Sequence, residues 1–476
     1  MSFNLQRDAK VYVSEVSTGF TSANTFEVRP MSGFAFNQTT STQDISVDEA
    51  GAAPSRGSKR FNTSINPTDI SFSTYIRPYK AGLNHDCPER ILWEALVGGD
   101  AFGTNAVSDA TNVTIDFAGS NVHELKKLYI FVDYGNAKYV IEEAVIGQAD
   151  LGFDIQGIAM IAWTGNGKIM KEIESATAAT FPTTGNFSPV PDCADFIKNK
   201  LSTIALSGIY DRTRGSQAVT LTGTSLTSGT AITMSAGTYT FTIAVDGSVP
   251  QTISYVSTGS GDTLGTIFNE IESQLRCATV IAAYGASTST FTFYSEVYGT
   301  ASSVAIVDGV SNGLFAAIDL DSDVTTVVIG SAVAGTASSR TYNIPITGGN
   351  IVFNNNITFL TPEELGVVNR SIGHFTGVRS ISGNLTAYLR SGSNTDAAQL
   401  MQDLLNATRD VTTSFNLVIS VGGSTNTPRV DITLPTAHLS VPTIDTQDVI
   451  STSIDFAGVP TDLGNTDEAT VEYYAA

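Results

Sequence analysis

Apolar and polar residues alternate with a period of two through most of this chain, the signature of strands that bury one face. The alternation is clearest at ISFSTYIR, where Ile70, Phe72, Thr74 and Ile76 share a face. A helical pattern follows at CPERILWEALVG, Cys87 to Gly98. There Pro88 takes a first-turn position, and Ile91, Leu92, Ala95 and Leu96 form an apolar stripe that needs a surface to cover it. The chain uses this unit twice. SFSTYIR (Ser71 to Arg77) returns as NLTAYLR (Asn384 to Arg390), and TDAAQLMQDLLNA (Thr395 to Ala407) supplies the second helix. A strand that delivers a helix, repeated far along the chain, points to an internal duplication.

Other segments recur in the same order. The strand KVYVSEV (Lys10 to Val16) has a counterpart in FIKNKLSTIALSG (Phe196 to Gly208), and FAFNQT (Phe34 to Thr39) in IVFNNN (Ile351 to Asn356). The strand from Lys126 matches SFNLVISV (Ser414 to Val421), QADLGF (Gln148 to Phe153) matches TAHLSV (Thr436 to Val441), and IAMIAWTG (Ile158 to Gly165) matches ISTSIDFAG (Ile450 to Gly458). Gly135-Asn136 reads as a hairpin turn between two strands. The expected division is a first copy over residues 1–190, with 171–195 as a connecting segment. The second copy takes 196–212 and 340–476.

Residues 213–339 interrupt the second copy and differ in texture. They are rich in Thr, Ser, Gly and Ala, with strand patterns and one amphipathic helix, DTLGTIFNEIESQL, for which Asp262 is the expected N-cap. A small inserted α+β domain is expected there, lodged in a hairpin where insertions are tolerated. The stretch 44–68, DISVDEAGAAPSRGSKRFNTSINPT, is polar, rich in Gly and Pro, and reads as a long loop. It contains the basic cluster Arg56, Lys59 and Arg60 beside Asp48, Glu49 and Phe61.

Composition narrows the function. With 46 acidic and 25 basic residues the net charge is −21, which disfavours tight binding to nucleic acid. No apolar run approaches the roughly 18 residues of a membrane helix, and MSFNLQRDAK lacks a signal-peptide core, so synthesis in the cytoplasm and no membrane partner are expected. Cys87, Cys193 and Cys277 are far apart and read as free buried thiols.

A search for chemistry finds no active site. His85, His123, His374 and His438 share no metal-ligand spacing. GSGDTLG (Gly259 to Gly265) is not a dinucleotide fingerprint, and DLDSD (Asp319 to Asp323) lacks the glycine and glutamate of a calcium loop. Glu142 and Glu143 are adjacent on a strand and point to opposite faces, which is wrong for shared acid–base work. The expectation is a protein that is not an enzyme, with no cofactor, no metal and no catalytic residue.

With these residues laid out, the chain resembles the major tail tube proteins of long, non-contractile-tailed bacteriophages, in particular the T-five-like group with a duplicated tube domain. The motifs that carry the resemblance are VDEAGAAPSRGSKRFNTS (Val47 to Ser64), SFSTYIRPYK (Ser71 to Lys80), HEL (His123 to Leu125) and WTGNG (Trp163 to Gly167). In the second copy they are KNKL (Lys198 to Leu201), YNIPITGG (Tyr342 to Gly349), NNNITFLTP (Asn354 to Pro362) and LTAYL (Leu385 to Leu389). The insert lies outside the resemblance, and the immunoglobulin-like domain of that group is not expected within residues 1–476.

The resemblance implies a mainly β fold: two tandem tail-tube β-sandwich or barrel domains, each with a flanking α-helix, plus the inserted domain. It implies a virion protein of the tail tube, whose homotrimers with pseudo-hexameric symmetry stack into a hollow conduit for genomic DNA. The implied partners are further copies of the chain, a tape-measure protein, distal and terminator tail proteins, and transiting duplex DNA that is not tightly bound. If each copy gives four lumen strands, three chains give 24 strands, which at ~4.8 Å spacing and ~40–45° tilt enclose ~50 Å between backbones, or ~35–40 Å after side chains. A duplex fits inside with room for water. On this reading the loop carrying Asp48, Glu49, Arg56, Lys59, Arg60 and Phe61 reaches the next ring, its basic residues pairing with a neighbour's acids. The insert projects outside, with a host-surface glycan as one expected contact. The competing readings are another self-assembling filament or adhesin-like surface protein, and a tail-associated polysaccharide depolymerase.

Overall fold

The computed structural model describes the chain except residues 1–8, 32, 46–57, 99–104, 119–124, 192–195, 366, 393–394, 407–414, 424–426 and 446–448. The fold is mainly β. Two compact units separate: one holds Met1–Gly208, Thr341–Asn406 and Thr412–Ala476, and the other is built on Ile209–Arg340.

The larger unit begins with β1 (Lys10–Ser14), β2 (Thr25–Val28), β3 (Ala35–Ile45) and β4 (Lys59–Tyr75). After the short β5 (Tyr79–Ala81) and β6 (Asn84–Asp86) comes helix α1 (Arg90–Val97). Then follow β7 (Ala106–Ser108), β8 (Val113–Asp116), β9 (Leu128–Asp133), β10 (Lys138–Asp154), β11 (Met160–Gly167), β12 (Ile169–Glu172) and β13 (Thr203–Arg212). The smaller unit holds β14 (Arg214–Gly223), β15 (Gly237–Val245), β16 (Gln251–Ser257), α2 (Leu264–Gln274), β17 (Ala278–Ala283), β18 (Thr288–Tyr298), β19 (Val304–Asp308), α3 (Leu314–Ile318) and β20 (Val324–Ile329). The chain then completes the larger unit. Strands β21 (Ala337–Tyr342), β22 (Ile346–Asn354), β23 (Ile357–Leu360), β24 (Asn369–Arg370), β25 (Gly373–Thr376) and β26 (Ser380–Tyr388) lead to α4 (Ala397–Asn406). The last strands are β27 (Phe415–Val421), β28 (Arg429–Leu439), β29 (Thr443–Asp445), β30 (Ser451–Gly458) and β31 (Thr470–Tyr474).

Within the larger unit, two strand sets have the same order. In one, β1 pairs β9, β9 pairs β10, β10 pairs β11, β11 pairs β4 and β4 pairs β3, all antiparallel. In the other, the same path runs β13, β27, β28, β30, β26, β22. The register repeats too. Thr68 to Tyr75 pair residue by residue with Gly167 to Met160, as Ile381 to Tyr388 pair with Gly458 to Ser451. Both ladders end on a glycine, and a Cβ there would press on Ile141 beside Gly167 and on Leu434 beside Gly458. Strand β10 is continuous where its counterpart is split into β28 and β29; Pro442, which has no N–H to donate, lies in the break. The observed register places Ile454 opposite Leu385 as Trp163 is opposite Phe72. The equivalence is therefore two residues from the one suggested by matching IAMIAWTG to ISTSIDFAG.

One apolar core serves both sets. Trp93 on α1 stacks edge-on against Trp163 and Phe353, with ring centres 5.2 and 5.3 Å apart, and its Nε1 donates to the Tyr473 hydroxyl at 2.5 Å. Trp163 Nε1 donates to Thr74 Oγ1 at 3.0 Å, so both buried indoles have hydrogen-bond acceptors. Asn355 Nδ2 closes the end of α1 by donating to the Leu96 carbonyl at 2.6 Å. The smaller unit has its own core, centred on Phe241, Phe291, Phe293 and Phe315, between a four-stranded sheet β17-β18-β14-β20 and a three-stranded sheet β16-β15-β19.

Several local expectations are revised. Helix α1 starts at Arg90 with Glu89 as N-cap, so Pro88 lies before the first turn. Thr263, not Asp262, caps α2 through Thr266; Asp262 is occupied by the hydroxyls of Tyr255 and Ser257. The supposed loop 44–68 contains strand from Lys59 onward, paired back to β3 as far as Ile45. Its residues do not alternate in polarity because both faces of the arm meet solvent. Cys87 is buried, but Cys277 is exposed and has φ 57°, and Cys193 lies outside the described residues.

The N-cap Glu89 is almost fully buried and makes no side-chain cap bond. Burial pushes its carboxyl up to about 8, with Arg77 opposing the shift only in part. The unfolded chain ionises this group near its ordinary value while the folded chain keeps the proton, so stability falls as pH rises from about 4.5 to about 8. Glu89→Gln removes that slope. Its denaturation midpoint should exceed that of the parent at pH 8 by the equivalent of a few kcal/mol, with the gap closing by pH 5. An equal difference at both pH values would contradict this account of Glu89.

Candidate assembly and conduit surface

The two strand sets are joined edge to edge. Strand β10 pairs with β22 from Gln148↔Asn354 to Asp154↔Gly348, giving one antiparallel sheet in the order β3-β4-β11-β10-β22-β26-β30-β29. Among the described residues this path stays open. Strand β3 pairs only with β4, β29 pairs only with β30, and all three residues of β29 are exposed.

Alternation gives this sheet two unlike faces. Ile70, Phe72, Leu151, Trp163, Ile351, Phe353, Leu385 and Ile454 point into the core. The opposite face carries Asp69, Ser71 and Ser73 from β4, Ala162, Thr164 and Asn166 from β11, and Gln148, Asp150 and Asp154 from β10. Beyond the joint it continues with Asn350 and Val352, Ser382 and Asn384, and Ser453 and Asp455, ending at Asp445. Five carboxylates (Asp69, Asp150, Asp154, Asp445, Asp455) lie on it, and the basic residues of its β4 strand, Lys59 and Arg60, are confined to the outer arm. Asn166 Nδ2 donates to Asp69 Oδ1 at 2.7 Å, so amides and acids interlock across strands. At the joint, Gly152, Gly348 and Gly349 leave a shallow hollow beside Asp150 and Asn384. Met160 and Tyr388 are exposed large side chains on the same face, and its carboxylates repel phosphate.

Two hairpins leave the same end of the sheet. The first is the outer part of β3 and β4, with bulges after Gln38 and Ser41. The second is β23 with β25, and Asn369–Arg370 of its connection pair in parallel with Ser64–Ile65 of the first. Of the residues singled out in the sequence, Lys59, Arg60 and Phe61 begin β4 on the first arm and are exposed. Arg60 grips Asp44 across the arm through Nε (2.6 Å) and Nη2 (2.9 Å), which lowers the Asp44 carboxyl below its usual range. Asp48, Glu49 and Arg56 lie outside the described residues. The net charge pointed to an acidic lining but not to the residues that form it, and the second arm was not foreseen. The signal for the face was present: Asp69, Asp150 and Asp455 fall between core positions on strands that had been recognised.

No family model matches the chain. It is 28% identical, across 98% of its own length and 75% of the relative's, to a protein named tail tube protein pb6 of Escherichia phage T5. That likeness agrees with the motifs quoted above and includes the region of the smaller unit within its span.

The electrostatics of the open face are testable directly. The parent chain should give no retained complex with duplex DNA at ~50 mM salt. A variant with Asp150→Lys, Asp154→Lys and Asp455→Lys should bind, with an affinity that falls steeply as salt is raised. Retention of DNA by the parent would show that the face does not repel it.

Proposed function

We propose that this chain, related along its whole length to a phage tail tube protein, is itself one: a structural virion protein that builds the hollow tail through which the genome passes. It acts by assembly rather than catalysis. The reading assigns residues 1–190 to a first tube domain, 196–212 and 340–476 to a second, and 213–339 to a domain inserted in the second. Three chains then supply six equivalent domains, a trimer imitating sixfold symmetry.

The observation that carries this is the β10·β22 joint. It links one strand set to the other, and each free edge of the sheet is the counterpart of one side of that joint. By the repeated registers, β29 corresponds to the paired part of β10, and β3 corresponds to β22. Transferring the pairing Asp150↔Val352 to the free edges sets Thr443 of one chain opposite Asn37 of the next, Ile444 opposite Phe36, and Asp445 opposite Ala35. Three such joints close the ring, remove both free edges of this sheet and turn the acidic face inward. An acidic, amide-rich wall lets duplex DNA slide past without adhering.

The arms at one end serve ring-to-ring contact, with Lys59, Arg60 and Phe61 near the interface and Arg56 pairing with Asp48 or Glu49 of a neighbour. The inserted domain decorates the outside, where a host-surface glycan is a fitting ligand. Tape-measure, distal and terminator proteins complete the tail, and synthesis takes place in the host cytoplasm. The alternatives of an adhesin-like filament or a depolymerase have no comparable support in the repeated joint.

An engineered disulfide tests the ring. The pair Asn37→Cys and Thr443→Cys in one chain should form chain-to-chain bonds that end at covalent trimers on a non-reducing gel, because facing strand positions are within disulfide reach. Either cysteine alone should leave single chains. Uncrosslinked protein in assembled rings, or a ladder running past three, would refute the closure.

A further inference from the structure

A small cavity of about 160 Å³ lies beside the end of β4, lined by Met31, Tyr75, Arg77, Glu89, Val190 and Phe196. It has room for roughly five waters or one branched aliphatic side chain. Arg77 lies over the Phe196 ring, 4.6 Å from its centre, and Phe196 is 46% exposed. Glu89 forms part of the wall, is only 2% exposed, and its Oε2 has no hydrogen-bond partner among the described residues. Buried polar atoms without a partner are uncommon and call for an explanation.

At the opposite end of the same sheet, the second arm ends in TPEELGVV, Thr361 to Val368. Leu365 there is fully exposed, Val367 is 58% exposed, and Glu363 and Glu364 are exposed beside them. Bare leucine at a hairpin tip gains nothing in the isolated chain. The tip is acidic and apolar; the cavity is apolar with Arg77 on its lining, while Arg29, also there, is engaged by Glu27 and the Val190 carbonyl. Because tip and cavity lie at opposite ends of the sheet, joining them is a heterologous contact that repeats without closing, the geometry of a filament.

We propose that Leu365 at the tip of the second arm of one chain seats in the Met31–Phe196 cavity of a chain in the next ring, with Glu364 against Arg77. Glu89, kept protonated by burial, then has a hydrogen to give to a backbone carbonyl of the incoming tip. The inference rests on the tube reading and adds an axial lock to it.

A second cysteine pair, Met31→Cys with Leu365→Cys, should give assembled tubes an open-ended ladder of covalent oligomers, unlike the trimers expected of the ring pair. Leu365→Asp, at a fully exposed position that does not affect folding, should leave rings intact and reduce stacked tubes by about tenfold or more. Glu364→Lys and Arg77→Glu should each shorten tubes in negative-stain images, and the double variant should restore them. Stacked tubes of parental length from Leu365→Asp, or no ladder from the cysteine pair in such tubes, would overturn the axial lock alone. A parental chain that makes no rings, even in tails built in the host, would overturn the tube reading with it.

Discussion

The sheet edge is the constraint on which the rest of the molecule depends. A strand at an edge leaves its outward N–H and C=O groups without sheet partners, and a long edge recruits other chains unless something blunts it. This chain satisfies one pair of edges internally, at β10 and β22, and leaves the matching pair exposed at β3 and β29. Strand β3 begins Ala-Phe-Asn-Gln, and β29 is Thr-Ile-Asp, with no lysine or proline within either. On the tube reading, each of these edges is matched in register to the other.

The core explains why the registers are so closely kept. A one-residue slip in β4 would turn Ile70, Phe72 and Thr74 out to the open face and bring Asp69, Ser71 and Ser73 onto Trp163. Trp93, Trp163, Phe117 and Phe353 interlock at ring-centre distances between 5.2 and 6.4 Å, and Phe353 comes from the second strand set. The aromatic cluster therefore fixes the internal joint as well as each sheet, and a rigid joint makes the free edges predictable.

Much of this was legible in the sequence, for physical reasons. The strands with one buried face announce themselves by alternation, so Ile70–Ile76, Leu385–Leu389 and the order of the two sets could be read directly. Pairing register could not, because a period of two gives the same pattern when a strand slides by two residues. Matching ISTSIDFAG to IAMIAWTG was off by that amount. The described arm, Ser41 to Ile45 with Lys59 to Ser64, was hidden because both of its faces are wet, which removes alternation altogether. Asp262 lost the N-cap to Thr263 because Tyr255 and Ser257 claim its oxygens, a tertiary event that no local pattern records. Arg60 likewise finds Asp44 only because the arm folds back on itself.

On the tube reading, two demands on one sheet account for its composition. A wall that passes a polyanion must not hold it, so one face is given to Asp, Asn, Ser, Thr and Gly. A wall that stays intact must be backed by a dry core, so the other face is given to aromatic and branched side chains. Alternation meets both demands within single strands, which fixes the charge of the conduit side by side with the packing. The price is that no strand position is free to serve axial contact. On the tube reading that task falls to elements outside the sheet, the two arms at one end, with exposed Phe61 and Leu365, and the Arg77–Phe196 region at the other. On the tube reading, lateral closure by backbone hydrogen bonds and axial contact by side chains fall to different parts of the molecule. On that reading, a change at the tip of an arm alters the length of an assembly without altering the bore.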